Sequence, residues 1–196
     1  MIRSDVAELH YIAPIGNVPS ILQLGLLSNR KAAPLAARSV AMSAVQAKRA
    51  KKVVPGGRPL HDYVNLYFDA RNPMMFLRKN MHEDLCVLRI AESVLDGPDV
   101  VITDGNAASD YAAFHPSPAG LGQLDKAMVF ARDWRSQNPI LAWQQKSAKC
   151  SEVLVPDRVP PPCVLGAYVS TIMAQGKLTA VAPGLAVSVL PDLFFQ

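Results

Sequence analysis

Short apolar runs interrupted by proline and glycine dominate the chain, with helical periodicity in only a few windows. Residues 6–12 read as a strand. Asn17 stands at a helix N-cap, with Pro19 in the first turn, Ile21, Leu22 and Leu24 as apolar positions and Gly25 as the stop. The alanine-rich stretch 30–37, which contains Pro34, reads as irregular. A second helix is expected from about 39 to 52, ended by Pro55-Gly56-Gly57. Residues 63–68 are aromatic and β-branched between turn residues and predict a strand. Residues 85–90 and 100–103 predict two more, with a short helix or turn between them near 91–95. Gly105, Pro116, Pro118, Gly120 and Gly122 mark 104–122 as a long loop. A helix-rich stretch follows, with Pro139 at the first position of its last helix and Cys150 near its end. Strands at 153–155 and 164–169 flank the Pro160-Pro161-Pro162 break, and 180–190 offers one last edge strand. Strands and helices do not alternate regularly, so the expectation is a mixed α/β chain rather than a doubly wound nucleotide fold.

Composition narrows this reading. A length of 196 residues suits a single domain, here with a loop and helical insertion at about 104–150. Half the residues are hydrophobic and 18% charged, which excludes an extended disordered protein. Cys86, Cys150 and Cys163 lack paired spacing, so neither a disulfide scaffold nor a zinc site is expected and a cytoplasmic location fits. Asp5 and Glu8 sit where a signal peptide needs apolar residues, and no run is long enough to span a bilayer, so no membrane association is expected. Residues 9–61 hold eight basic side chains and no acidic one, while the remainder holds 12 basic and 16 acidic. That segment either faces phosphate or is a solvated basic face.

Phosphate-binding glycine motifs are absent, and His10, His61, His82 and His115 lack metal-ligand spacing, so no metal is expected. Two polar residues stand out. Arg49 falls on the same helical stripe as Ala41, Met42 and Val45. An arginine there needs an anion: an internal salt bridge or a bound phosphate held by its guanidinium fork. Glu152 opens the strand at 153–155 on the face of Leu154, as an edge gatekeeper or as a carboxylate gripping a ribose. Trp143, at helical spacing from Ile140 and Lys146, reads as core, and His61 as a satisfied loop histidine.

Five stretches in this order carry a resemblance. They are Tyr11-Ile-Ala-Pro-Ile-Gly-Asn17 with Ile21-Leu-Gln-Leu-Gly-Leu-Leu27; Arg38-Ser39 through Gln46-Ala-Lys-Arg49; Pro55-Gly-Gly57 with Leu60-His-Asp-Tyr-Val-Asn-Leu-Tyr-Phe68; Arg71-Asn-Pro-Met-Met75; and Ser151-Glu-Val-Leu-Val155. With the threonine–aspartate segment Val101-Ile-Thr-Asp-Gly-Asn-Ala107, the chain from about 8 to 168 resembles the DarT-type DNA ADP-ribosyltransferases of bacterial toxin–antitoxin systems. The resemblance implies an ADP-ribosyltransferase fold, two facing, mostly antiparallel sheets that form a cleft for NAD, flanked by helices. It implies transfer of ADP-ribose from NAD, as substrate, to a base in single-stranded DNA. It places Glu152 and Arg49 at the family's catalytic positions, and His10, Tyr11, Ala13, Asn17, Leu26, Arg49 and Tyr67 at the NAD. Where the family usually has histidine this chain has Tyr11, and Ala13 replaces a threonine. Either Tyr11 makes the ribose contact or the register slips and His10 makes it.

For the nucleic acid, Lys48, Lys51 and Lys52, with Arg30 and Lys31, are expected to track phosphates. Tyr111, His115 and Trp134 are expected to stack exposed bases, with Met75 beside the cleft. Cleaving the nicotinamide bond leaves a cationic ribose and a neutral leaving group, so the reaction asks for fixed negative charge rather than a metal. A guanidinium is a poor base, so Arg49 is assigned to the pyrophosphate or to a developing base anion. The expected partners are single-stranded DNA and an antitoxin with ADP-ribosyl-hydrolase (macrodomain) activity, the protein itself being a monomer. Alternatives are ADP-ribosylation of RNA, plain NAD hydrolysis, and a catalytically weak single-strand-binding relative.

Overall fold

The computed structural model describes residues 1–35 and 42–196. The chain opens with β1 (Glu8–Pro14), α1 (Val18–Leu24), β2 (Leu26–Leu27), α2 (Asn29–Ala32) and α3 (Ser43–Arg49). It continues through β3 (Tyr63–Tyr67), α4 (Pro73–Arg78), β4 (Leu85–Ala91), β5 (Val101–Thr103) and β6 (Phe114–Pro116). The second half holds α5 (Lys126–Val129), α6 (Pro139–Ala148), β7 (Glu152–Pro156), β8 (Arg158–Val159), β9 (Val164–Val169), α7 (Ile172–Val181) and β10 (Val187–Val189).

Eight strands form one sheet in the order β10-β9-β4-β1-β3-β7-β5-β6, antiparallel except for β10 on β9, and β2 pairs with β8 in a separate ribbon. The centre of the large sheet positions the site. β1 pairs with β4 along its whole length and β3 with β7 along its whole length, but β1 meets β3 only at His10↔Tyr67. The expected two facing sheets are therefore two four-stranded halves of one sheet, joined at a single residue pair. A cavity lies at that junction, lined by Tyr11 of β1 and by Tyr63, Asn65 and Tyr67 of β3. The main core runs through both halves, from Val169 on β9 through Leu88, Leu9 and Leu66 to Val153 and Ile102.

Local sequence explains most elements. Asn72 caps α4 by accepting from the Met75 N–H at 3.0 Å, with Pro73 in the first turn. Asn138 and Pro139 open α6 the same way. Gly25 has φ +83°, and a Cβ there would lie 2.3 Å from the Val159 carbonyl oxygen, so only glycine lets α1 turn into the β2–β8 ribbon.

Four readings change. The stretch expected to be irregular contains α2, whose Ser28 cap accepts from the Lys31 N–H. The expected loop at 104–122 contains β6, which pairs with β5, so this segment lengthens the sheet. The tail contributes helix α7, and only Val187–Val189 is the edge strand. The helix expected at 39–52 is α3, shorter at its C-terminal end because Lys51 and Lys52 belong to a closing turn. Its first expected positions, like Arg38 and Ser39 of the family stretch, lie outside the described residues.

Candidate active site

Strand β7 carries Glu152 into the centre of the sheet, between Tyr67 on β3 and Thr103 on β5. The Glu152 main-chain N–H donates to Thr103 Oγ1 at 3.2 Å, and the Thr103 hydroxyl donates to the Gly105 carbonyl at 2.7 Å. These bonds fix the start of β7 against the segment 103–107. The Ala107 N–H closes the arrangement by donating to Glu152 Oε1 at 3.2 Å. The carboxylate is thus held by its surroundings rather than by solvent, with only 1% of the residue exposed.

Arg49 comes from the last turn of α3, 103 residues away in sequence. Its Nη1 donates to both oxygens of Glu152, at 3.2 and 3.0 Å, and the residue is 5% exposed. Of the two readings of an arginine on an apolar stripe, the structure shows the internal salt bridge. The two residues singled out by chemistry meet in one buried pair.

That pair forms part of the wall of a cavity of about 370 Å³, within the range of small-molecule sites, roughly 300–1,000 Å³. Tyr11, Asn17, Leu26 and Tyr67, which the resemblance implied for NAD, are among its lining residues. Burial raises the Tyr11 and Tyr67 hydroxyls, with the Glu152 charge adding to the effect on Tyr67, so both are neutral hydrogen-bonding groups. Burial, reinforced by Glu152, pushes the Cys150 thiol up to about 12, which removes it as a nucleophile.

Other expected residues are placed elsewhere. His10 points to the opposite face of β1, with Nδ1 at 3.2 Å from the Phe68 carbonyl and Nε2 at 3.2 Å from Glu8. Its bonds to Phe68 and Glu8 keep His10 out of the cavity lining, although Ile12 on the same face of β1 and its cross-strand partner Tyr67 both reach it. Ala13 is fully buried in the core and outside the cavity lining. Met75 is also fully buried, packed with Ile12, Leu85 and Phe194, and so is not available to nucleic acid. The neighbouring Met74 lines the cavity instead.

Lys48 and Lys51 are exposed on either side of Arg49, and Lys52 reaches the Ser109 carbonyl and Asp110. This tie brings Lys52 beside the segment of Tyr111, which is 81% exposed and packs edge-to-face on Trp143 at 5.7 Å. Trp143 is itself 53% exposed, not core, because α6 turns that face outward. One turn on, Lys146 reaches the cavity rim. Arg30 pairs with Asp62 at 2.8 Å and Lys31 with Asp157 at 3.2 Å, so part of the basic segment is internally balanced. His115 borders a second pocket with Arg58 and Asp99. Trp134 packs edge-on against Phe76 and Phe195.

His61, Asn65, Asn106 and Lys146 line the cavity without having been expected there. Asn65 was findable, since it shares the strand face of Tyr63 and Tyr67. Among the described residues, no group of three or more His, Cys, Asp or Glu is arranged to hold a metal ion.

Solved structures define the class first. The fold is that of the ADP-ribosyltransferases. It matches Thermosipho africanus DarTG in complex with ADP-ribose at a TM-score of 0.82 and 28% identity, over 96% of this chain and 51% of that one. Thermus sp. 2.9 DarT in complex with ADP-ribosylated ssDNA has the same fold, with a TM-score of 0.82 at 23% identity over 97% of both chains. The family model described as "ssDNA thymidine ADP-ribosyltransferase, DarT" matches residues 10–195, and the chain belongs to the DarT family. A DNA ADP-ribosyl transferase of Thermus aquaticus is 31% identical over 85% of this chain and 78% of its own length. The chain spans about half of a Thermosipho africanus DNA ADP-ribosyl transferase–DNA ADP-ribosyl glycohydrolase fusion protein: 29% identity over 96% of this chain and 49% of that one.

Proposed function

We propose that this protein transfers ADP-ribose from NAD to a thymidine base in single-stranded DNA, acting as a cytoplasmic, monomeric toxin. The observation that carries the reading is the buried Arg49–Glu152 pair in the cavity wall of a DarT-family chain. In this reading NAD enters between the sheet halves, with its nicotinamide ribose against Glu152 and Tyr67. The charge of Glu152 stabilises the cationic sugar as the nicotinamide bond breaks, and the leaving group needs no acid. Burial strengthens that charge–charge attraction and excludes competing water. Arg49 anchors the carboxylate through Nη1, while its Nη2 faces incoming substrate.

DNA reaches the cavity along the exposed side of α6. The path runs past Lys48 and Lys51, over the Tyr111–Trp143 pair, and by Lys146 at the rim. Base stacking on aromatics and phosphate tracking by lysines are independent of sequence, so selectivity resides in the cavity. The glycohydrolase half of the fusion relative supports a partner enzyme that removes the modification and acts as antitoxin.

NAD consumption with and without an oligonucleotide tests the proposal. Consumption that requires single-stranded DNA supports it. Consumption at the same rate without DNA contradicts it and identifies a hydrolase, and a requirement for RNA instead of DNA replaces the substrate.

A further inference from the structure

Two cavity-lining residues have a buried polar atom with no hydrogen-bond partner among the described residues: Nη2 of Arg49 and Nε2 of His61. Neither side chain floats. Arg49 is clamped to Glu152, and His61 lies in the short turn Leu60–Asp62, whose Leu60 N–H donates to the Lys52 carbonyl at 2.8 Å just beyond α3. The His61 ring also interacts with the main-chain carbonyl of Gln46. Since Nε2 has no partner, this interaction belongs to Nδ1, which carries the proton and leaves Nε2 as a bare lone pair.

The charged groups facing the ring are Arg49 of α3, Arg30 of α2, and Asp62 of its own turn, which is already paired with Arg30. Burial, and after it the Arg49 charge, lowers the His61 pKa, so the ring is neutral at pH 7. The cavity therefore offers a fixed N–H donor and a fixed lone-pair acceptor from neighbouring residues. Their complement is a carbonyl beside an N–H, the edge of an imide or a primary amide. A thymine ring presents that edge at its one ring N–H, and the nicotinamide carboxamide presents a similar one. Only the ring N–H must lose its proton in the reaction. In the proposed function the Glu152 oxygens, which accept from Arg49 and Ala107, face the ribose, while His61 Nε2 is an acceptor with no partner among the described residues.

We propose that His61 Nε2 accepts the ring N–H of the target base and takes its proton as the base nitrogen bonds to the ribose, an inference that rests on the function proposed above. The nitrogen lone pair forms the bond to the anomeric carbon. The nicotinamide bond breaks with its electron pair on the pyridine nitrogen. The ring proton moves to Nε2, and the resulting imidazolium, disfavoured beside Arg49, releases it to solvent as product leaves. Arg49 Nη2 donates to the adjacent base carbonyl throughout.

The test uses His61→Gln and His61→Ala, with NAD binding by calorimetry, thermal unfolding, and turnover on a thymidine-containing oligonucleotide across pH. General-base loss costs about 10²–10⁴-fold. The expected result is a turnover loss of that size in both variants, with NAD affinity within about threefold of wild type. The wild-type rate should fall as pH drops through the His61 titration, below the ordinary histidine value of about 6.5, and this limb should vanish in His61→Gln. Turnover within threefold of wild type overturns the inference. So does parallel loss of NAD affinity in folded variants, which assigns the pair to the carboxamide. An inactive wild-type protein defeats the proposed function first, and this inference with it; an active wild type with unaffected variants defeats this inference alone.

Discussion

Replacing Glu152 by glutamine keeps the shape of the side chain and removes its charge, leaving the Arg49 guanidinium 5% exposed without a counter-ion. Breaking one side of a buried ion pair costs about 3–5 kcal/mol. Here the orphaned partner already has one unsatisfied nitrogen, Nη2, so the loss falls on a group with few alternatives. Catalysis should suffer separately, since removing a charge-stabilising contact to the transition state costs about 10²–10³ in rate. The two effects separate in a double-mutant cycle. Glu152→Gln is expected to lower unfolding stability in urea by roughly 3 kcal/mol and to abolish measurable DNA modification. Arg49→Met combined with Glu152→Gln removes both charges and should recover most of the stability while remaining inactive. A Glu152→Gln protein as stable as wild type, or a double variant no more stable than the single one, refutes the reasoning that the pair is buried and mutually dependent.

Three other outcomes follow from the same geometry. Arg49→Lys keeps the charge but not the two-nitrogen fork that serves Glu152 and substrate together, so turnover should fall at least about tenfold; near-normal kcat refutes the need for a fork. Trp143→Ala removes an exposed stacking surface outside the cavity, worth about 1–3 kcal/mol per base. It should raise KM for longer oligonucleotides and leave both NAD affinity and thermal stability unchanged, whereas an unaltered KM removes α6 from the DNA path. Glu8 lies on the far side of β1, where burial would raise its carboxyl, but His10, Arg89 and Tyr168 hold it down to about 2. A depressed acid contributes stability that is complete above its unfolded value of about 4.5 and lost as pH falls toward about 2. Glu8→Gln should therefore cost about 2 kcal/mol at pH 7, after allowing for solvent screening, and only a small fraction of that at pH 2, as read by denaturant titration at each pH.

Sequence carried the strands well, because residues 63–67, 85–91 and 152–156 are dense in β-branched and aromatic side chains between clear breakers. It missed α7, although Thr171 is a cap and Ala174, Leu178 and Ala182 repeat at helical spacing; Gly176 and a weakly amphipathic face hid the pattern. Trp143 was misread because helical spacing marks a face without saying whether anything covers it, and here nothing in the main core does. Arg49 and Glu152 were legible singly, each as a charge in apolar surroundings. Their mutual contact was not, since it depends on how α3 returns across the sheet. His61 was dismissed because an unpartnered nitrogen is visible only once its surroundings are fixed in three dimensions. The choice between His10 and Tyr11 was not legible, since Tyr11 and Ile12 line the cavity from opposite faces of β1, and only the bonds of His10 to Phe68 and Glu8 take it out of the lining.

The central claim is a transfer to DNA that depends on the buried glutamate. Mass spectrometry of short single-stranded DNA oligonucleotides, each with one base type varied and incubated with NAD and the protein, tests it most directly. The account predicts one added ADP-ribose on strands that contain thymidine, none on strands that lack it, and none with Glu152→Gln. Unshifted strands in the presence of folded, NAD-binding protein, or a shift that survives Glu152→Gln, would contradict it.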